Sequence, residues 1–156
     1  MMRRLFILFS SLLIGGFLFI SAVAQPLQNA DQSNNNMSGT IYRTVEKYLG
    51  RPYVWGAAGL KSFDCSGFIW RIMADNGIIV KRTTARKLYM SLPRVPKDSS
   101  YDSGSLVFFD NLKHVGIVKD RETFYHAQVS RGTNLSSFDP YWRRKICGFR
   151  SIPMQS

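Results

Sequence analysis

The run Phe63-Asp64-Cys65-Ser66-Gly67-Phe68-Ile69-Trp70-Arg71-Ile72-Met73-Ala74-Asp75-Asn76-Gly77 reads as one helix with both ends marked. Asp64 is a good N-cap, Gly77 a good stop, and Phe68, Ile69, Ile72 and Met73 recur at helical spacing on one face. Before it, Thr40 to Leu49 predicts a first helix, capped by Thr40, lined by Ile41, Val45, Tyr48 and Leu49, and ended by Gly50. Arg51-Pro52 then forces an extended turn into Tyr53-Val54-Trp55. After it, Thr83 or Thr84 can cap a short third helix through about Met90.

Beyond Pro93 and Pro96 the pattern changes to strands. Ser105 to Phe109 is a dense apolar strand; His114 to Lys119 and Thr123 to Gln128 follow, and Lys145 to Ile152 makes the last. Tyr141-Trp142 reads as a short helical turn packed on the core. Helices first and an antiparallel sheet afterwards predict an α+β domain.

The ends of the chain carry other information. Arg3-Arg4, the apolar run Leu5 to Ile20 and the small-x-small site Ala22-Val23-Ala24 predict a signal peptide over residues 1–24, with Gln25 opening the mature chain. The competing reading, an uncleaved anchor, is disfavoured by an apolar run shorter than the roughly 20 residues of a spanning helix. Residues 25–39 are rich in Asn, Gln and Ser and predict a flexible linker. One domain over 40–153 and a tail at 154–156 complete the chain. The net charge is +11, and loss of the leader removes only Arg3 and Arg4 from it. A basic exported chain suits an anionic partner such as the cell wall, although a plain solvated surface explains the charge equally well. No nucleic-acid motif accompanies it, and a monomer without cofactor or stable membrane insertion is expected.

Cys65 is the chemical focus. The first turn of a helix favours an anion, so its thiol should be acidic and reactive, and Ser66 and Gly67 should leave room for a substrate backbone. The other cysteine, Cys147, lies in the apolar run Ile146-Cys147-Gly148-Phe149, which predicts a buried, inert thiol. These contrasting contexts argue against a Cys65–Cys147 disulfide. The chain has two histidines, His114 and His126. In strand periodicity Val115 and Ile117 share one face, and His114 shares the other with Gly116. An odd loop centred on Asp120 would set His114 and His126 directly opposite on one face, with Cβ atoms about 5 Å apart. A thiol nucleophile, an imidazole base and a group that orients the base make up the minimum set for acyl transfer. Zinc is the alternative use of one cysteine and two histidines, but no C-x-x-C or H-x-x-x-H spacing is present and no fourth ligand is evident.

These stretches together resemble the NlpC/P60 family of cell-wall cysteine peptidases. Tyr48 to Gly56 looks like the lead-in to the nucleophile and Phe63 to Phe68 like the nucleophile motif. Leu106 to Phe109 with His114 to Ile117 resembles the strand pair bearing the catalytic histidine, and Phe124 to Ala127 the third-residue motif. Tyr141-Trp142 and Gly148-Phe149-Arg150 resemble the family's C-terminal end. The resemblance implies a papain-like fold and hydrolysis of peptidoglycan stem peptides, most often at the γ-D-glutamyl–meso-diaminopimelate bond. It also implies Tyr53 as an oxyanion donor beside the backbone N–H of Cys65, and Asp64, Ser66, Arg82, Thr83 and Thr84 as lining of the substrate groove. Departures from the family pattern occur at Gly56-Ala57-Ala58-Gly59 and at Ser103-Gly104-Ser105. The same triad would also serve an acyltransferase or another amidase, and a wall-binding domain without activity is the remaining alternative.

Overall fold

The computed structural model describes residues 39–153. The expected signal peptide, nearly all of the linker and the tail lie outside the described residues. Helix α1 covers residues 39–47, so Thr40 lies within the helix and is not its cap. It buries Ile41 and Val45, and Tyr48 just beyond it, whereas Leu49 turns outward. Helix α2 runs Cys65–Asp75, with Asp64 accepting a hydrogen bond from the Gly67 N–H, and it buries Phe68, Ile69, Ile72 and Met73. Helix α3 runs Ala85–Ser91 and is capped by Thr84. No helix among the described residues is long and apolar enough to cross a membrane.

The strands are β1 Leu106–Phe109, β2 His114–Val118, β3 Thr123–Gln128, β4 Gly132–Ser137 and β5 Ile146–Arg150. They form one sheet in the order β4-β3-β2-β1-β5, each neighbouring pair antiparallel. The α+β arrangement is therefore present, with one strand that the apolar pattern does not announce. Strand β4, Gly-Thr-Asn-Leu-Ser-Ser, is an edge strand with an exposed Leu135 and lacks the alternation of a half-buried strand.

The sheet is covered on both faces, which accounts for the unbroken burial of Leu106-Val107-Phe108-Phe109. Leu106, Phe108, Val115, Ile117, Tyr125 and Ala127 meet the helices in the larger core. Val107, Phe109, Val118 and Phe124 meet Phe138 and Trp142 on the opposite face. Trp142 belongs to the short helix α4, Pro140–Arg143, capped by the Asp139 side chain.

Two irregularities set the register. Asp110, Asn111 and Leu112 all take left-handed backbone at the β1–β2 turn. Asp and Asn tolerate that conformation; Leu112 is held in it by packing against the larger core. In the pairing of β1 with β5, Phe108 meets Gly148 and Phe109 meets Ile146, so Cys147 is the extra residue of a bulge. The expectation of a buried Cys147 is thereby corrected: its side chain is exposed. Both cysteines are free.

Candidate active site

The start of α2 packs against a loop so tightly that no side chain fits at residue 67. A Cβ on Gly67 would stand 2.0 Å from the Ala57 carbonyl oxygen. Gly67 makes room for this loop and not for a substrate backbone, as its sequence context had suggested. Asp64 binds the same loop. Its Oδ1 accepts from the Gly67 N–H (2.6 Å) and the Ser66 hydroxyl (2.9 Å), and its Oδ2 from the Gly56 N–H (2.9 Å) and Arg82 Nη2 (2.7 Å). Arg82 also donates from Nη1 to Ser66 Oγ (3.0 Å) and to the Thr83 carbonyl. Asp64, Ser66 and Arg82 thus form one ion-paired network. Thr84 is separate from it, because its hydroxyl oxygen accepts the Lys87 N–H at 3.4 Å.

Cys65 sits in the middle of this arrangement and is only 7% exposed. Its thiol donates to the carbonyl oxygen of Lys113 at 3.7 Å, which places the sulfur at the start of β2, beside His114 in sequence. Burial pushes the Cys65 thiol up from its ordinary value, and the Asp64 carboxylate pushes it further. The N–H groups of Val115, Ser66 and Cys65 pull it down but do not prevail. The expected acidic, accessible thiol is therefore corrected. The cap that starts the helix also brings a negative charge to its first residue.

Tyr53 is half-buried against the larger core. Burial raises the pKa of its phenol, as do Cys65 and Asp64, so the hydroxyl keeps its proton and can donate it in a hydrogen bond. This places Tyr53 within electrostatic reach of the sulfur.

The two histidines meet. His114 Nε2 and His126 Nδ1 are 2.7 Å apart, with the rings nearly perpendicular at 83°. They are not directly opposite, because His126 pairs with Gly116. The loop is odd, as required for a shared face, but it is centred on Arg121 and not Asp120. Asp120 Oδ1 accepts the N–H groups of Glu122 (2.9 Å) and Thr123 (2.7 Å), which moves the turn one residue along. The histidines are therefore diagonal neighbours, and Gly116 lies between them. A Cβ there would stand 2.8 Å from Phe124 Cδ2 and 3.4 Å from His126 Cβ. Glycine leaves the lane open through which the rings touch.

His126 is fully buried and His114 half-buried. Burial lowers the pKa of His114 to about 4; burial and, after it, the neighbouring His114 lower that of His126 to about 3. Both rings are neutral at neutral pH. Trp142 covers them, stacked on His114 at 28° and perpendicular to His126 at 90°. His126 Nε2 lies 2.9 Å from Ser136 Oγ on β4. Sequence reading passed over Ser136 and its neighbour Asn134 because β4 has no apolar signature. Trp142, expected in a turn packed on the core, also touches both histidines, a contact with no signal in the sequence. Among the described residues, no group of three or more His, Cys, Asp or Glu stands close enough to hold a metal ion.

Three comparisons bear on the whole. A model of the NlpC/P60 family matches residues 50–151. The chain is 37% identical over 115 residues to the probable endopeptidase p60 of Listeria seeligeri, covering 72% of this chain and 22% of that protein. It is 31% identical over 159 residues to the probable endopeptidase NlpC of Escherichia coli, covering 97% and 100%. It thus spans about a quarter of the Listeria relatives and all of the Escherichia coli one. A solved structure of an NLP/P60 family protein from Staphylococcus aureus superposes with a TM-score of 0.68 at 28% identity, covering 78% of this chain and 43% of that one.

Proposed function

The chain belongs to the NlpC/P60 family, and from that premise we propose that it is an exported cysteine endopeptidase of peptidoglycan stem peptides. Its bond is the one between γ-D-glutamate and meso-diaminopimelate. Names of relatives such as the peptidoglycan DL-endopeptidase CwlO of Bacillus licheniformis support the substrate class. The observation that carries the reading is the convergence of a helix-start thiol on the strand that begins with His114, itself hydrogen-bonded to His126.

The chemistry starts from a neutral pair, thiol and imidazole. His114 Nε2 is committed to His126, so Nδ1 is the nitrogen that takes the thiol proton. As that S–H bond breaks, a sulfur electron pair attacks the scissile carbonyl carbon, and the carbonyl π pair moves to oxygen. The Tyr53 hydroxyl and the Cys65 N–H donate to this oxyanion. When the carbonyl re-forms, the C–N bond breaks and the proton on Nδ1 goes to the departing amine. Water, deprotonated by the same nitrogen, then attacks the thioester carbon; the C–S bond breaks, the acid leaves, and the proton on Nδ1 returns to sulfur. Proton transfer during attack makes a pre-formed thiolate unnecessary, in keeping with the raised thiol pKa. Arg82, with Thr83 and Thr84, lines the groove; Asp64 and Ser66, both buried, act there by holding Arg82.

The test is incubation of the purified protein with muropeptides of defined stem type and mass analysis of the products. Two fragments whose combined mass exceeds the substrate by one water are expected. Cys65→Ala and His114→Ala should each lower turnover by several powers of ten at an unchanged melting temperature. Absence of any Cys65-dependent product from every stem type overturns the proposal.

A further inference from the structure

A hydrogen bond between two neutral imidazoles contains one proton, and the 2.7 Å separation of His114 Nε2 and His126 Nδ1 does not say which ring owns it. Ownership decides whether His114 can act. If His126 donates from Nδ1, then His114 Nε2 is bare, its proton sits on Nδ1, and that nitrogen cannot accept from a thiol. If His114 donates, Nδ1 is bare and basic.

The answer lies on β4. Asn134 stands directly across from His126, and Ser136 across from Phe124, on the same side of the ladder. The side-chain amide of Asn134 points its Nδ2 at the Gly132 carbonyl, 2.8 Å away. A backbone carbonyl can only accept, so the amide cannot be turned round. Its Oδ1 must then face Ser136, 3.2 Å away, and Gln128, whose Nε2 donates at 3.1 Å. An amide oxygen also only accepts, so the Ser136 hydroxyl donates to it. That leaves the lone pairs of Ser136 Oγ for His126 Nε2 at 2.9 Å, and His126 must donate there. A neutral His126 that donates from Nε2 has a bare Nδ1, which accepts from His114 Nε2–H.

We propose that Asn134 and Ser136 are positioning residues that, through His126, hold His114 in the tautomer with Nδ1 bare. The order of donors is set by one main-chain carbonyl, that of Gly132, and passes along Asn134, Ser136 and His126 to the nitrogen that serves the thiol. The inference rests on the proposed role of His114 as base, but the tautomers can be read without turnover.

The full chain labelled with 15N-histidine is examined at pH 7 by long-range 1H–15N correlation. Both rings should show an unprotonated Nδ1 and a protonated Nε2. Ser136→Ala should mix the tautomers and lower kcat roughly 10-fold to 100-fold with KM unchanged. Ser136→Thr, which keeps the hydroxyl, should restore both. A protonated Nδ1 on either neutral ring of the unaltered chain overturns the inference. So does a Ser136→Ala chain with unchanged tautomers, or one whose lost kcat Ser136→Thr fails to restore. Correct tautomers that respond to Ser136→Ala in a chain that cleaves no muropeptide uphold the inference and refute the proposed function instead.

Discussion

The two halves of the site are held by different forces. At the start of α2 a carboxylate accepts four hydrogen bonds, one from an arginine, and the geometry is fixed by charge. At the sheet, two neutral rings, a hydroxyl and an amide stand in line, and the geometry is fixed by which atoms can donate. The ionic half tolerates reorientation as long as charges stay paired. The neutral half has no such latitude, because one reversed group reverses every bond that follows it. The Cys65 side of the site is thus anchored by strength and the histidine side by direction.

The largest break of this comparison comes from the ionic half. Gly67→Ala puts a methyl group where the Ala57 carbonyl lies, and neither the helix nor the loop can yield without losing the Asp64 bonds. A loss of about 3 kcal/mol in denaturant unfolding is expected. A loss below about 0.5 kcal/mol would show that the loop is not clamped.

Next is Gly116→Ala in the neutral half. Its Cβ meets Phe124 and the Tyr125 carbonyl oxygen at 2.8 Å. About 2 kcal/mol of stability should go. In addition, kcat should fall by about 10²-fold as the rings are pushed apart, in line with what a positioned general base contributes. A variant that loses stability but keeps kcat would separate the His114–His126 contact from turnover.

Acid should weaken the neutral half first. Both histidines have folded-state pKa values below the unfolded value near 6.5, His114 at about 4 and His126 at about 3. Below pH 6.5 the unfolded chain binds protons that the folded chain refuses, so stability falls with pH down through about 4 for His114 and about 3 for His126. Melting temperatures measured across that range should show the fall, and His126→Gln should flatten it. An identical slope in the variant would disprove the burial-based assignment for His126.

The smallest effect sharpens the ionic half. An alkylating agent should label exposed Cys147 first and Cys65 only as pH rises. Asp64→Asn keeps a capping side chain but removes the charge, so Cys65 labelling should move to lower pH. Peptide mapping of the label checks both statements, and an unmoved Cys65 profile would count against the Asp64 contribution.

The ionic half could be read from sequence more fully than the neutral one, though not in its energetics. Asp64, Gly77 and the spacing of Phe68, Ile69, Ile72 and Met73 carry their helix within a dozen residues, because caps and periodicity are local signals. The sign of the Cys65 shift is not local, since it depends on burial supplied by the sheet. Pairing of the histidines hangs on loop parity, which residues 119–122 leave open until the strands pair. The exact register turned on which backbone groups Asp120 would capture. Strand β4 was invisible because an edge strand facing water needs no apolar alternation, and Ser136 and Asn134 disappeared with it. Cys147 misled because a bulge breaks the alternation that its apolar neighbours suggest.

The raised pKa of Cys65 also bears on its redox chemistry. Thiolates attack disulfides and oxidants, and the rate follows thiolate character and access. Cys65 offers little of either, being 7% exposed and held above its ordinary pKa. Burial first, and the Asp64 carboxylate after it, therefore also make the sulfur a slow partner for oxidants. Cys147, out on its bulge, is the more accessible of the two thiols.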